Sequence, residues 1–363
     1  MTNSTVPSGD WGDNPVRRVP VEVLTGYLKQ MLMNAGCNEK NAQAAATGFV
    51  EADMCGVGRQ GADHIANMLQ HLAQGAINGN GQPSVAKQGP AFAVVDGDRA
   101  PGHAGAFLAT DTVISKAREA GCAAIALSNS ADIYMIGNYA SRIAQAGLVG
   151  MVFTVAPSLV HPHGGVDRHL GTNPFAISVP TGDGVPVVHD LSTSAVSQST
   201  VRQSAYLGIP LPEGSGVDQA GFPSTDANAV LNGAIAPLAG HKGFGLGLCV
   251  ALLSGPLTGG AVGSGLDGWR DTDVPASSRG HLFLAIDPAA FGDPEVFCQS
   301  VRDYLNEIRN SRLAPGTDGI RIPGERSHQT RSDTEKNGVV ILEESWQRLA
   351  VHAERLGVEV PGS

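Results

Sequence analysis

The sequence predicts an α/β fold with a mixed sheet, entered through a helical N-terminal part and followed by further helices. Three observations carry this. Apolar residues recur at helical spacing up to about residue 72; short apolar runs alternate with helical stretches between residues 92 and 286; and helical periodicity returns after Pro294. With 363 residues, 42% of them hydrophobic and 16% charged, the chain has material for two or three cooperating domains around a closed core.

Taken in order, Leu24, Leu28, Met31 and Leu32 define one amphipathic helix and Ala44, Ala45 and Phe49 a second, parted by a break over residues 34–38. A third helix is expected from Ala62 to about Leu72, closed by the Gly- and Asn-rich run from Gly75 to Gly81. Phe92 to Val95 then reads as a strand, Ala104 to Ala120 as a helix and Ala123 to Leu127 as a buried strand. Further strands are expected at Val149 to Val155, Phe175 to Val179, Val185 to Asp190 and His281 to Ile286, with an apolar helix from Gly243 to Leu253. Two last helices, Val296 to Arg309 and Glu343 to Leu356, are joined by a long polar segment.

Charge narrows the function. A formal net charge of -10 without any cluster of Lys and Arg argues against a nucleic-acid binder. No apolar stretch reaches the roughly 18 residues of a membrane span, and the polar, acidic N-terminus does not read as a signal peptide. A cytoplasmic protein with a disordered leader is expected. Cys37, Cys55, Cys122, Cys249 and Cys298 are scattered without ligand spacing, and are expected as reduced, small buried apolar residues.

One GxGxxG match exists, at Gly263, Gly265 and Gly268, but its flanks lack the strand before and the helix after that a dinucleotide fingerprint requires. The turn from Gly240 through His241, Lys242 and Gly243 into an apolar helix suits an anion, since backbone N–H groups, the helix dipole and a lysine all add positive potential; a glycine-rich helix packed on the sheet is the alternative. His161 and His163 lie in a Pro- and Gly-rich loop, with no nearby carboxylate or cysteine to complete a metal site. Asp190, Leu191, Ser192, Thr193 and Ser194 follow a strand end and fit a ribose or phosphate, or else an N-cap; Pro323, Gly324 and Glu325 read as a functional loop or a plain turn.

These segments, with Gly164-Gly165, Leu170 to Pro174, Ile209-Pro210 and Leu253 to Gly255, resemble in order the malate/L-lactate dehydrogenase family, which also holds ureidoglycolate and sulfolactate dehydrogenases and cyclic imino acid reductases. The resemblance implies a fold outside the Rossmann group, with a mixed-sheet nucleotide-binding domain (86–310) and a helical domain formed by both chain ends (16–85 and 311–363, behind a leader at 1–15). It implies a homodimer and a small-molecule substrate. It also implies that Asp190, Leu191, Ser192, Thr193, Ser194, His241, Lys242, Pro323, Gly324 and Glu325 face NAD or NADP, with Lys242 foremost.

Against the family's pattern, Ser-His is replaced by Arg59-Gln60, the arginine four residues after that histidine by His64, a second histidine by Asp132, and a lysine by Thr200. Reduction of a ketone or imine calls for a proton donor near the carbon that receives hydride, and glutamine does not titrate. Asp132 or His64 as acid or base, Tyr134 as proton donor and Arg59 as a carboxylate clamp are the candidate replacements, with Asp132 ionised if buried near Arg59. The expected activity is an NAD(P)-dependent oxidoreductase of specialised metabolism on a small keto, hydroxy or imine acid. A cyclase, lyase or transferase on the same scaffold and a non-catalytic nucleotide binder are the alternatives.

Overall fold

The computed structural model describes residues 15–269 and 278–362, so the leader expected at 1–15 lies, apart from Pro15, outside the described residues. At the centre is a seven-stranded sheet in the order Ser84–Gly89, Phe92–Asp96, Cys122–Ser130, Arg279–Ile286, Val149–Thr154, Phe175–Val179, Val187–Leu191. Phe92–Asp96 and Cys122–Ser130 run parallel and every other neighbouring pair in this sheet is antiparallel, which makes it mixed rather than doubly wound. The late strand Arg279–Ile286 is inserted between two early ones, and this insertion later proves decisive for the site.

Helices Gly102–Ala120 and Gly137–Gln145 close one core with the sheet, where Ala106, Ala109, Val113, Ile143, Ile125, Val152 and Phe283 are buried together. Alanine and glycine on the longer helix allow close approach: a Cβ at Gly105 would stand 2.9 Å from Leu127. The helix His241–Ser254 packs on Arg279–Ile286 and Val149–Thr154.

A second core combines both ends of the chain. Leu24, Leu28, Met31, Phe49, Ile65 and Met68 meet Val339, Ile341, Trp346 and Leu349, and strand Val16–Val19 pairs antiparallel with Val339–Leu342. Arg17 fastens the same junction with two hydrogen bonds to Glu343, at 3.2 and 3.0 Å. A third, smaller cluster includes Val160, Leu170, Val201, Val230 and Ile235.

Several elements differ from expectation. The helix expected from Ala62 opens as a 3-10 turn, Ala62–His64, preceded by another at Gly58–Gln60, and becomes α-helical only over Ile65–Ala73. The Asp53 carboxyl accepts the Ala62 N–H at 2.8 Å, satisfying a first-turn donor that has no partner within its own helix. The polar segment expected between the last helices contains the helix Glu325–Asn337. Helices Gly137–Gln145 and Gln198–Leu207 were not anticipated. The five cysteines are free, but Cys122 and Cys249 are exposed, which corrects the expectation that all are buried.

Candidate active site

A cleft of about 1070 Å³ runs between the sheet and the N-terminal helices. Its lining includes Arg59, Gln60, His64, Asp132 and Tyr134 at one part, and Asp190, Leu191, Ser192, Pro323 and Gly324 at another. Thus five residues singled out for chemistry and five singled out for a nucleotide share one cavity. Thr193, Ser194, His241, Lys242 and Glu325 do not line it.

The sheet register builds the acidic centre. Arg279 pairs opposite Ser130, with a bulge before His281, so the turn after Cys122–Ser130 carries Asp132 to within 2.5 Å of the Arg279 guanidinium. Arg279, not Arg59, is therefore the ion-pair partner of Asp132, a correction to the expected pairing. Sequence reading missed Arg279, since its only local sign is a cation at the mouth of an apolar strand. Its side chain is 9% exposed, whereas that of Asp132 is 39% exposed toward the cleft.

The other Asp132 oxygen accepts the Tyr134 N–H at 2.9 Å, closing a tight turn in which Tyr134 takes φ 58°. Burial pushes the Asp132 carboxyl up, but the Arg279 charge, the Tyr134 N–H and nearby His64 outweigh it and hold it at about 2. The same loop is fixed from behind by His281. Its Nε2 donates to the Ala131 carbonyl at 3.1 Å, so its Nδ1, 2.7 Å from the Thr154 hydroxyl, accepts. Burial keeps His281 neutral, with its pKa lowered to about 4. Gly102 is required beneath this turn, because a Cβ there would lie 2.1 Å from the Asp132 carbonyl oxygen.

Tyr134 stacks on His103 with ring centroids 5.0 Å apart and meets Phe49 edge-on. Burial first, then the Asp132 charge, raises the Tyr134 phenol well above its ordinary value. His103 is fully enclosed, neither ring nitrogen has a hydrogen-bond partner among the described residues, and burial lowers its pKa to about 3. His64 rests against Tyr134, and Asn67 approaches its Nδ1 at 3.4 Å. Read as an Asn67 N–H donor, that contact leaves Nε2 of His64 as the protonated nitrogen.

Arg59 reaches across to the helix Gln198–Leu207, donating to Thr200 Oγ1 at 2.8 Å and to Gln203 Oε1. Its contacts are neutral acceptors, so its charge is not cancelled by either of them. Gln60 lines the cleft beside it.

In the nucleotide-like part, Asp190 Oδ2 accepts the Gly137 N–H at 2.8 Å, capping the helix Gly137–Gln145. Burial raises the Asp190 carboxyl to about 6 against the pull of that N–H. Ser194 bonds Ser192 and the Val196 carbonyl, and Thr193 bonds the Thr172 and Asn173 carbonyls, so this pair fixes the backbone. Gly324, at φ 100°, starts the helix Glu325–Asn337 against strand Val187–Leu191, and a Cβ there would lie 2.9 Å from Val188 N. Glu325 turns away to Arg309 at 2.6 Å. His241 and Lys242 are exposed at the start of His241–Ser254, with the His241 ring 5.8 Å from that of His163.

A deep cleft with convergent charged and polar groups defines a small-molecule site of the enzyme kind. The chain belongs to the malate/L-lactate dehydrogenase family, whose model matches residues 19–350. It is 32% identical over 350 residues to a malate dehydrogenase of Pyrococcus abyssi, covering 94% of this chain and 96% of that protein. It is 31% identical over 335 residues to a Δ1-pyrroline-2-carboxylate/Δ1-piperideine-2-carboxylate reductase of Pseudomonas putida, covering 92% and 96%. The solved malate dehydrogenase of Pyrococcus horikoshii superposes with a TM-score of 0.87 at 29% identity, covering 97% of this chain and 99% of that one. Among the described residues no helix is long and apolar enough to cross a membrane.

Proposed function

We propose that the chain is an NAD(P)-dependent oxidoreductase acting on a small, carboxylate-bearing keto, hydroxy or imine substrate. The observation that carries this reading is the single cleft joining the Asp132–Arg279 centre to Asp190, Leu191, Ser192, Pro323 and Gly324. The residues present fit a dinucleotide: the helix Glu325–Asn337 begins at the cleft wall, where N-terminal N–H groups favour phosphate, and Gly324 leaves out a side chain where backbone comes close. When bound, the nicotinamide supplies or takes the hydride. His241 and Lys242, which do not line the cleft, would meet the dinucleotide only where it extends beyond it.

The proton assignments narrow. Asp132 is an anion at neutral pH and serves as a charge partner or base, and the Tyr134 phenol is held protonated. His64, which lines the cleft against Tyr134, is the remaining candidate for proton transfer. Arg59 is placed to meet a substrate carboxylate.

The homodimer implied by the resemblance is supported by the helix His241–Ser254, which leaves Leu246, Leu248, Leu252 and Leu253 exposed, with Leu257 beyond it. We place a second copy of the chain on that face.

Calorimetric titration with NAD, NADH, NADP and NADPH tests the proposal. Selective micromolar or tighter binding of a dinucleotide is expected. Absence of binding by all four would transfer the scaffold to non-redox chemistry.

A further inference from the structure

A second pocket, of about 120 Å³, adjoins the nucleotide-like part of the cleft. Pro186, Ile322 and Pro323 line both cavities, so a thin wall of chain divides them. The far side of the pocket is one face of the helix Pro294–Arg309, on which Arg302, Leu305, Asn306 and Arg309 follow helical spacing. Its volume exceeds the share of one water, roughly 30 Å³, and admits a small oxyanion. Arg302 donates to the Thr181 carbonyl and, at 2.6 Å, to Gln299 Oε1. Both acceptors are neutral, and two bonds leave guanidinium donors unspent. Asp183 also lines the pocket, but its Oδ1 is turned into its own loop, where it accepts the Thr181 hydroxyl at 2.6 Å and the Val185 N–H at 3.0 Å.

Glu325 ties this pocket to the dividing wall. Its Oε1 accepts Arg309 Nε at 3.1 Å and Nη2 at 2.6 Å, while its Oε2 accepts the Ile322 N–H at 2.9 Å. One carboxylate thus occupies the second arginine of the pocket and holds the first residue of the wall. We propose that the pocket is a regulatory site for a small oxyanion, a free phosphate or a short carboxylate, which Arg302 holds and which draws Arg309 away from Glu325, loosening residues 322–324 and weakening ligand binding in the main cleft. The effect on a dinucleotide rests on the reading that the cleft holds one; the oxyanion site does not.

Relative strengths favour the exchange. A guanidinium bonded to neutral oxygens gains from a charged acceptor, because charge-assisted hydrogen bonds are about twice as strong as neutral ones. The Arg309–Glu325 pair it disturbs is 40% and 33% exposed, a class of ion pair that contributes little, so a change of partner costs little. Its consequence falls on a segment without slack. Gly324 sits so close to strand Val187–Leu191 that a Cβ would lie 2.9 Å from Val188 N, and the Pro323 carbonyl accepts that same N–H at 3.1 Å. When Glu325 is drawn off, the Ile322 N–H loses its acceptor and the wall shifts on the side that faces the cleft. Linkage then requires the converse, that a dinucleotide in the cleft weakens the oxyanion by the same factor.

The test is calorimetric titration of the full chain at pH 7 with inorganic phosphate and, separately, malonate, chloride holding the ionic strength constant. The dinucleotide that binds wild type is then titrated at rising concentrations of each anion. Its Kd should rise about fivefold and level off, as coupling between two separate sites requires. Phosphate alone acting marks a phosphate site, and malonate alone a carboxylate site. Arg302→Gln, checked for folding by circular dichroism, should lose the anion and keep a constant dinucleotide Kd. Asn306→Tyr, which fills the pocket and spares both Arg302 contacts, should do the same and serves if Arg302→Gln does not fold. A Kd that climbs in proportion to the anion without limit means competition inside the cleft and overturns the inference. So does an effect that survives in both variants, or no effect of either anion. If no dinucleotide binds, the oxidoreductase reading falls, and the pocket is judged by itself: an anion that binds wild type and not Arg302→Gln upholds it, and any other result removes it.

Discussion

Asp53→Asn tests how the loop bearing Arg59, Gln60 and His64 is held. Asp53 is 7% exposed, accepts the Ala62 N–H at 2.8 Å, and sits so close to Gly61 that a Cβ there would lie 2.0 Å from Oδ1. Burial raises its pKa to about 8, against the Ala62 N–H and assisted by neighbouring Asp63. In the unfolded chain the same group titrates near 3.9. Between those values the folded state keeps a proton the unfolded state has lost. The stabilisation is thus complete below about pH 4, declines as pH rises, and is gone above about pH 8. The slope is at most about 1.4 kcal/mol per pH unit, so the ceiling between pH 5 and 8 is about 4 kcal/mol; local relaxation and water entry should bring it to about 2 kcal/mol. Asparagine preserves an oxygen acceptor for Ala62 and cannot ionise. Urea denaturation followed by circular dichroism at pH 5 and 8 should show wild type losing about 2 kcal/mol more than Asp53→Asn. Parallel losses in the two proteins would refute the buried-proton argument.

Two other perturbations address the site and the assembly. Gly102→Ala forces a methyl against the Asp132 and Ala131 carbonyl oxygens, 2.1 and 2.7 Å away, and should cost about 1–3 kcal/mol of stability, read from the urea midpoint. Leu252→Lys places a charge on a side chain that is 52% exposed in the single chain; if the proposed homodimer forms through this face, light scattering should show wild type as a dimer and the variant as a monomer with little change in the fold, and an unchanged dimer would move the interface elsewhere.

Elements whose apolar residues follow one period were legible in the sequence. Cys122–Ser130 and Val149–Thr154 are both buried strands with alternating inward residues, and Val21–Asn34 carries Leu24, Leu28, Met31 and Leu32 on one face. Glu325–Asn337 was illegible because Thr334 is its only fully buried residue, so no apolar stripe records its helical period. Val16–Val19 was missed for another reason: its partner is Val339–Leu342, and a four-residue strand has little local signal without that partner. The sheet order was equally hidden, since inserting Arg279–Ile286 between Cys122–Ser130 and Val149–Thr154 depends on long-range pairing.

The site follows the same division. The candidates Gln60, His64, Asp132 and Tyr134 were found through the family resemblance, residue by residue, but Arg279 required the sheet register. A further contact links two departures that look unrelated along the chain. Where the resemblance implies serine at position 59 and lysine at position 200, this protein has Arg59 and Thr200, and the two are bonded at 2.8 Å. Each change alone reads as the loss of a polar function. Together they retain one cation and one hydroxyl across a single contact, with the cation now rooted in the N-terminal turn Gly58–Gln60 and the hydroxyl on Gln198–Leu207. A lysine at 200 opposite Arg59 would set two cations against each other in the cleft, so either residue constrains what its partner can be. The cleft is therefore better understood as a set of coupled pairs, Arg59 with Thr200 and Asp132 with Arg279, than as a family site with separate parts missing.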